Sequence, residues 1–233
     1  MIVTIHQPDF LPWLGFFDRW AKSDLYIVLD DVQFLRRGWQ HRDKIKTAKG
    51  VQWLTVPVVK KGRYSQCIRE VMINNHENWR HKHLNTIRGA YSKGHNFNHF
   101  FNELEAIYKR GHGMLIGLNI DLLRLCADTL GIKTPVKLAS SFKVKVNGSE
   151  RLRKLVQAVD GDVYLTGTGS RDYLDVELFE KVGIEVRWQE FEHPIYPQLH
   201  HGFEKMLSAI DFLMAASKED IKNFKTKGSN ICH

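Results

Sequence analysis

The sequence predicts an α/β protein, a parallel Rossmann-like sheet carrying a helical annex, and three observations predict it. Short apolar or β-branched runs at Ile2 to Ile5 and Leu25 to Leu29 have the composition of buried strands, and further strands are expected at Val163 to Leu165 and Ile184 to Trp188. Helical spacing fills the intervals between them, and strands alternating with helices favour a parallel sheet. From Asn78 to roughly Leu130 the pattern is helical throughout. At 233 residues and 43% hydrophobic content the chain is long enough to bury a sizeable core. The expected organisation is one domain over 1–233, with an α/β core at about 1–75 and 132–233 and a helical insertion at about 76–131.

In chain order, the Ile2 to Ile5 strand is followed by Phe10, Leu14, Phe17 and Ala21 at helical spacing, with Pro12 in a tolerated first turn and Asp9 as a candidate cap. Leu25 to Leu29 closes this β-α-β unit. Val51 to Pro57 and Ile68 to Ile73 are further strand candidates, joined by an exposed polar loop at Lys60 to Ser65. In the annex, Trp79, His83, Ile87 and Tyr91 form one stripe, Phe100, Leu104 and Ile107 another, and Leu115 to Leu130 a third, with breaks at Gly94 and Gly111 to Gly113. A strand near Val136, a helix over Ser149 to Val159, the Val163 strand, a glycine loop at Thr166 to Arg171, a helix over Asp172 to Lys181 and the Ile184 strand follow. The last helix runs amphipathically through Phe203, Leu207, Ile210 and Leu213, with Ser208 and Asp211 beside its apolar stripe.

No stretch of about 18 apolar residues exists and the N-terminus has no secretory pattern, so a cytoplasmic protein without membrane insertion is expected. Cys67, Cys126 and Cys232 lack metal or disulfide spacing and read as reduced, mostly buried thiols; no metal is expected. Lys and Arg number 34 against 26 Asp and Glu, a formal charge of +8. Between Arg36 and Lys49 there are six basic residues and one acid, Asp43, a local positive field suited to a phosphorylated small molecule or to nucleic acid.

The candidate site residues lie at strand ends, where an open parallel sheet binds its ligands. His6, Gln7 and Asp9 follow the first strand, and Asp30 and Asp31 follow the second; successive strand residues point to opposite faces, so one of that pair, Asp31 by preference, is expected to face the site. Arg37, Trp39, Arg42 and Lys44 combine charge with aromatic surface, which suits a phosphate beside a ring or sugar. Gly167, Ser170 and Arg171, between a strand and a helix, offer backbone donors to an anion or form a tight turn requiring glycine. His83 on the Trp79 stripe, and Tyr196 with Gln198, are further candidates alongside a purely structural reading of the same residues.

The motifs His6-Gln7-Pro8 with Pro12-Trp13-x-Gly15-Phe16-Phe17, Asp30-Asp31-Val32-Gln33-Phe34, Arg37-x-Trp39-Gln40-x-Arg42-x-Lys44-Ile45-Lys46, Tyr164-Leu165-x-Gly167 and Tyr196-Pro197-Gln198 with Leu207-Ser208-x-x-Asp211 resemble the WbqC-like family over nearly the whole chain. The chain departs from that pattern at His41, where asparagine is expected, and at Thr166, where serine is expected. The resemblance implies a role in surface polysaccharide, O-antigen or lipopolysaccharide biosynthesis, and suggests forming or using an amide on an amino sugar. A more distant similarity, carried by Trp20 to Phe34 and by Ser170-Arg171-x-Tyr173-Leu174, is to pantoate–β-alanine ligases, which adenylate a carboxylate before forming an amide. Where those enzymes carry H-x-G-H, this chain has Asp9-Phe10-Leu11-Pro12.

Two functional expectations result. The first is a transferase or ligase moving an acyl or aminoacyl group to the amine of a nucleotide sugar. His6 acts as base or donor, Asp31 orients it, Gln7 assists, and Arg37, Arg42, Lys44 and Arg171 hold phosphates. The second is a non-catalytic module binding a phosphorylated ligand, a carrier or RNA. The cofactor is unknown, ATP being one option, and the donor is left open among an amino acid with ATP, an acyl or aminoacyl carrier protein and a charged tRNA.

Overall fold

A computed structural model describes residues 1–229; the expectation for Cys232 falls outside the described residues. Its elements are β1 (Ile2–His6), α1 (Leu14–Ala21), β2 (Leu25–Val28), β3 (Arg42–Thr47), β4 (Gly50–Thr55), α2 (Trp79–Tyr91), α3 (Phe97–Lys109), α4 (Leu115–Thr129), β5 (Val136–Leu138), α5 (Gly148–Gln157), β6 (Val163–Thr166), α6 (Glu177–Glu180), β7 (Glu185–Trp188), α7 (Ala209–Ala215) and α8 (Lys218–Ser229).

The sheet is parallel, in the order β5-β2-β1-β6-β7. The chain therefore builds outward from β1 through β2 to β5, then returns to β1 and builds the other way through β6 and β7. Such a reversal leaves a crevice outside the carboxyl ends of β1 and β6, because the two connections leave in opposite directions. Strand alternation distributes the core. Val3, Ile5, Leu25 and Ile27 pack on one face with Leu155 and Val156 of α5 and Phe179 of α6. Tyr26 and Val28 pack on the other with Phe16, Phe17 and Trp20 of α1, in a larger core that continues into α2, α3, α4 and α7.

The annex meets the turn after β1 at Phe10, whose ring lies 5.9 Å from that of His83, and is tied to it by a buried side chain. Asn119 of α4 is fully buried, and its Nδ2 donates to the carbonyl oxygens of Pro8 and Gln40, each at 2.7 Å. Truncating it leaves both carbonyls buried without a donor, at about 1–3 kcal/mol each. Asn119→Ala is thus expected to destabilise the protein by about 2–5 kcal/mol in urea unfolding; a change smaller than about 0.5 kcal/mol, the ordinary size of a surface substitution, would show that the bridge is idle.

Several elements differ from the sequence reading. The basic segment is itself a strand: β3 pairs antiparallel with β4 in a separate hairpin, Lys44 opposite Trp53. Ile68 to Ile73 is not a strand. A 3-10 turn occupies Ile68–Glu70, and its backbone donors go to Val32, Asp30 and Cys67 instead of to a ladder. The helix expected over Asp172 to Lys181 is the single turn Glu177–Glu180. The last amphipathic pattern becomes helical only at Ala209, where the Ser208 hydroxyl accepts from the Ile210 amide; Phe203 precedes it in a loop. Asp9 does not cap α1, whose N-cap is Trp13.

Candidate functional site

The crevice at the β1–β6 switch is a cavity of about 750 Å³. Its first wall begins where β1 ends. Thr4 and His6 share the strand face opposite Val3 and Ile5, so His6 turns toward α1 and meets Phe16 edge-on at 5.2 Å. The His6 Nδ1 lies 2.9 Å from the Gln7 carbonyl oxygen. A carbonyl only accepts, so Nδ1 carries the proton and Nε2 keeps its lone pair. Burial, then the Arg19 guanidinium, hold the imidazole far below its ordinary pKa, at about 3, and the ring is neutral near pH 7.

Asp9 stands beside it, Oδ2 at 3.6 Å from Nδ1 and its side chain only 11% exposed. Burial raises this carboxyl to about 7 against the opposing pull of Arg19. The turn presenting both groups is tightly held: the Phe10 amide donates to the Trp39 carbonyl at 2.9 Å, and buried Leu11 sits at φ 47°, a left-handed conformation that a branched residue adopts only when its surroundings impose it. The Gln40 amide donates to Gln7 Oε1, which leaves the Gln7 amide nitrogen for the cavity.

Arg19 supplies the charge. It lies on α1, 8% exposed, and among the described residues it belongs to no ion pair; its hydrogen bond is a long one, 3.4 Å, to Gln189 Oε1. The neighbouring carboxylate is already committed: Asp18 takes Lys22 at 3.0 Å and the Gln189 amide at 2.7 Å. Burial lowers the Arg19 pKa, the response of a cation deprived of water.

The second wall is the loop after β6. Ser170 Oγ donates to the Gly167 carbonyl at 2.7 Å, so the 2.9 Å contact between the two hydroxyls is donated by Thr166. Threonine meets this requirement as serine would, since both carry the hydroxyl. Gly167 is needed for space: a Cβ there would lie 2.5 Å from Arg19 Nη1. Gly167→Ala is expected to displace the guanidinium and weaken binding of an anion such as inorganic pyrophosphate at this cavity on the order of tenfold, the loss of one charge-assisted contact, measurable by calorimetry. Arg171 stands over Trp188 at 5.2 Å, and Trp13, Trp39, Tyr173 and Phe191 complete an aromatic lining.

Of the residues singled out from sequence, the cavity collects His6, Gln7, Asp9, Trp39, Gly167, Ser170 and Arg171. The others have different partners. Asp31 pairs with Arg151 of α5 at 2.6 Å, and Asp30 accepts from the Ser140 amide at 2.9 Å; the carboxylate nearest His6 in the ion-pair geometry is Asp9. Arg37, Arg42 and Lys44 belong to the hairpin region outside the cavity lining. Trp79 and His83 are buried in the annex, with His83 between Tyr108 Oη at 3.2 Å and the Thr55 carbonyl at 3.1 Å. Burial lowers the His83 pKa to about 4, which suits a neutral bridging ring. Tyr196 and Gln198 join a buried polar cluster. Asp211 accepts from Tyr91 at 2.8 Å and Tyr196 at 2.7 Å, while Gln198 Oε1 accepts from Lys46 Nζ at 2.9 Å. His41 is buried against Phe34.

Arg19, Gln40 and Gln189 line the cavity and were not singled out from the sequence. The signal for Arg19 is its place, next to Asp18, in a helix whose remaining residues are apolar, between Phe16-Phe17 and Trp20-Ala21. A buried lone cation of this kind suits an anion, Nε2 of a neutral histidine is able to receive a proton, and a carboxyl titrating near 7 is able to give one.

The family model described as the WbqC-like protein family matches residues 7–223. The uncharacterized protein Rv1507c of Mycobacterium tuberculosis is 35% identical over 219 residues, which cover 93% of this chain and 94% of that protein. No solved structure matches. Among the described residues no helix is long and apolar enough to cross a membrane.

Proposed function

This chain belongs to the WbqC-like protein family, and from that premise we propose that it forms an amide, moving an acyl or aminoacyl group to the amine of an amino sugar nucleotide in the assembly of surface polysaccharide or O-antigen. The observation that carries the reading is the grouping of a buried, unpaired Arg19 with neutral His6 and protonatable Asp9 at one switch-point cavity. Arg19 holds the anionic part of a substrate, and the aromatic lining receives its rings. The amine nitrogen attacks the acyl carbonyl carbon, forming the C–N bond, and its proton passes to His6 Nε2. The bond from that carbon to the leaving oxygen or sulfur breaks, and Asp9 returns a proton to the leaving atom. Mass spectrometry of amino sugar nucleotides incubated with the protein and activated acyl or aminoacyl donors tests this. An acyl-sized mass gain on the sugar nucleotide is expected; unchanged sugars across the donor classes would leave a binding module.

The pH dependence has a fixed sign. Asp9 is neutral below about 7 and anionic above it, so both turnover and affinity for an anion are expected to fall as pH rises through about 7. Its share of stability runs the same way, complete below the ordinary carboxylate range and lost as pH rises through about 7. In Asp9→Asn the fall in anion affinity should disappear from a calorimetric pH series. A step of unchanged size near 7 would assign the titration to another group.

A further inference from the structure

The outer face of the β3–β4 hairpin is not used by the cavity chemistry. Asp43 and Ile45 of β3 face the core, whereas Arg42 and Lys44 turn outward, with Trp53 directly opposite Lys44. Trp53 and Trp39 remain 44% and 47% exposed, their ring centroids 5.5 Å apart and tilted by 31°. The Arg42 guanidinium lies 4.6 Å from the Trp53 ring, and Lys44 Nζ lies 5.9 Å from each indole. Among the described residues Arg36, Arg37, Arg42, Lys44 and Lys49 pair with no carboxylate. Trp39 also lines the cavity, so this platform runs to the cavity mouth.

A platform that alternates flat rings with unpaired cations matches a polymer that alternates flat bases with phosphates. A lipid surface fits less well, because the cations lie close to the ring faces and the adjoining cavity holds Arg19, His6 and Asp9 where acyl chains would need an apolar floor. An acidic carrier protein satisfies the charge and leaves the ring faces without a planar partner.

We propose that Arg42, Lys44, Trp53 and Trp39 bind the single-stranded end of an RNA and lead it to the cavity mouth. This rests on the acyl-transfer reading for its purpose, an aminoacyl ester on a terminal ribose being a donor of the required kind, but RNA binding is measured without turnover. The experiment is fluorescence anisotropy of a labelled single-stranded RNA of about 12 nucleotides with the full chain, between about 50 and 200 mM salt. Trp53→Ala is expected to weaken binding on the order of tenfold and leave the salt slope unchanged, while Trp53→Phe retains most of the affinity. Arg42→Gln combined with Lys44→Gln is expected to lower the slope of log affinity against log salt by about 1.4, at roughly 0.7 per phosphate on a single strand.

Absence of RNA binding at about 50 mM salt, or equal binding by wild type and Trp53→Ala, overturns the proposal. So does binding of anionic phospholipid vesicles or of an acyl carrier protein that RNA does not displace. RNA bound without acyl transfer to any amino sugar nucleotide keeps the platform and sinks the transfer reading. Transfer from a free activated donor without RNA binding does the reverse.

Discussion

Replacing Arg19 by glutamine is expected to weaken binding of a nucleoside diphosphate on the order of 10²- to 10³-fold while leaving the unliganded protein as stable as before or more so. Truncating one partner of a buried, hydrogen-bonded charge pair costs about 2–5 kcal/mol, and each 1.4 kcal/mol is about a tenfold change in affinity. In the unliganded protein that partner is missing: the guanidinium has a 3.4 Å bond to Gln189 and no carboxylate, so its burial opposes folding. An arginine kept for architecture gives the opposite pattern, a large fall in stability with binding following it down. The charge also reports on its neighbours. Arg19 lowers the pKa of both His6 and Asp9, so removing it should raise both, visible by NMR titration. Calorimetry, thermal unfolding and that titration together decide the matter; unchanged affinity would remove Arg19 from the site.

The second large effect is at His6. His6→Ala is expected to reduce turnover by about 10²-fold, the low end of the contribution of a positioned general base because burial and Arg19 hold the ring's pKa at about 3, with little change in nucleotide-sugar affinity. Binding is spared because the phosphate contact belongs to Arg19, whereas the Nε2 lone pair acts only as the amine loses its proton. The ring is 37% exposed toward the cavity, so its truncation removes little packing beyond the edge contact with Phe16, and stability should fall by about 1 kcal/mol or less. Steady-state kinetics checks this through the split between kcat and KM. Full turnover in His6→Ala would end the acid–base scheme.

Much of the sheet was legible because β1, β2 and β6 are largely buried and so read as short apolar or β-branched runs, while the edge strand β7 alternates, Val186 and Trp188 packing on the core and Glu185 pairing with Arg187. β3 was not, because Arg42, Lys44 and Lys46 occupy one side of it and Ile45 is its single apolar inward residue. Lys46 is buried without looking so: its ammonium reaches Gln198 Oε1 and the His200 and Gly202 carbonyls, all more than 150 positions away in the chain. The same blindness affected the polar candidates. His83, Tyr196 and Gln198 read as site residues for the same reason as His6, yet each is satisfied by protein, His83 and Tyr196 in the core and Gln198 at its partly buried edge. A sequence reports that a polar group is set among apolar ones and does not report whether its partner is protein or ligand.

By itself the sequence determined the alternation of strand and helix, the annex, and the placement of His6, Gln7 and Asp9 after the first strand, because local periodicity and strand ends are properties of neighbours in the chain. Only the tertiary structure decided which groups share the cavity. It placed Arg19 of α1 against Gly167 after β6, turned Asp31 away to Arg151, and set the basic strand in a hairpin whose rings and cations face outward. Those choices depend on the crossing of connections at the β1–β6 switch and on which buried charges already have partners, and both are fixed by contacts between residues far apart in the chain.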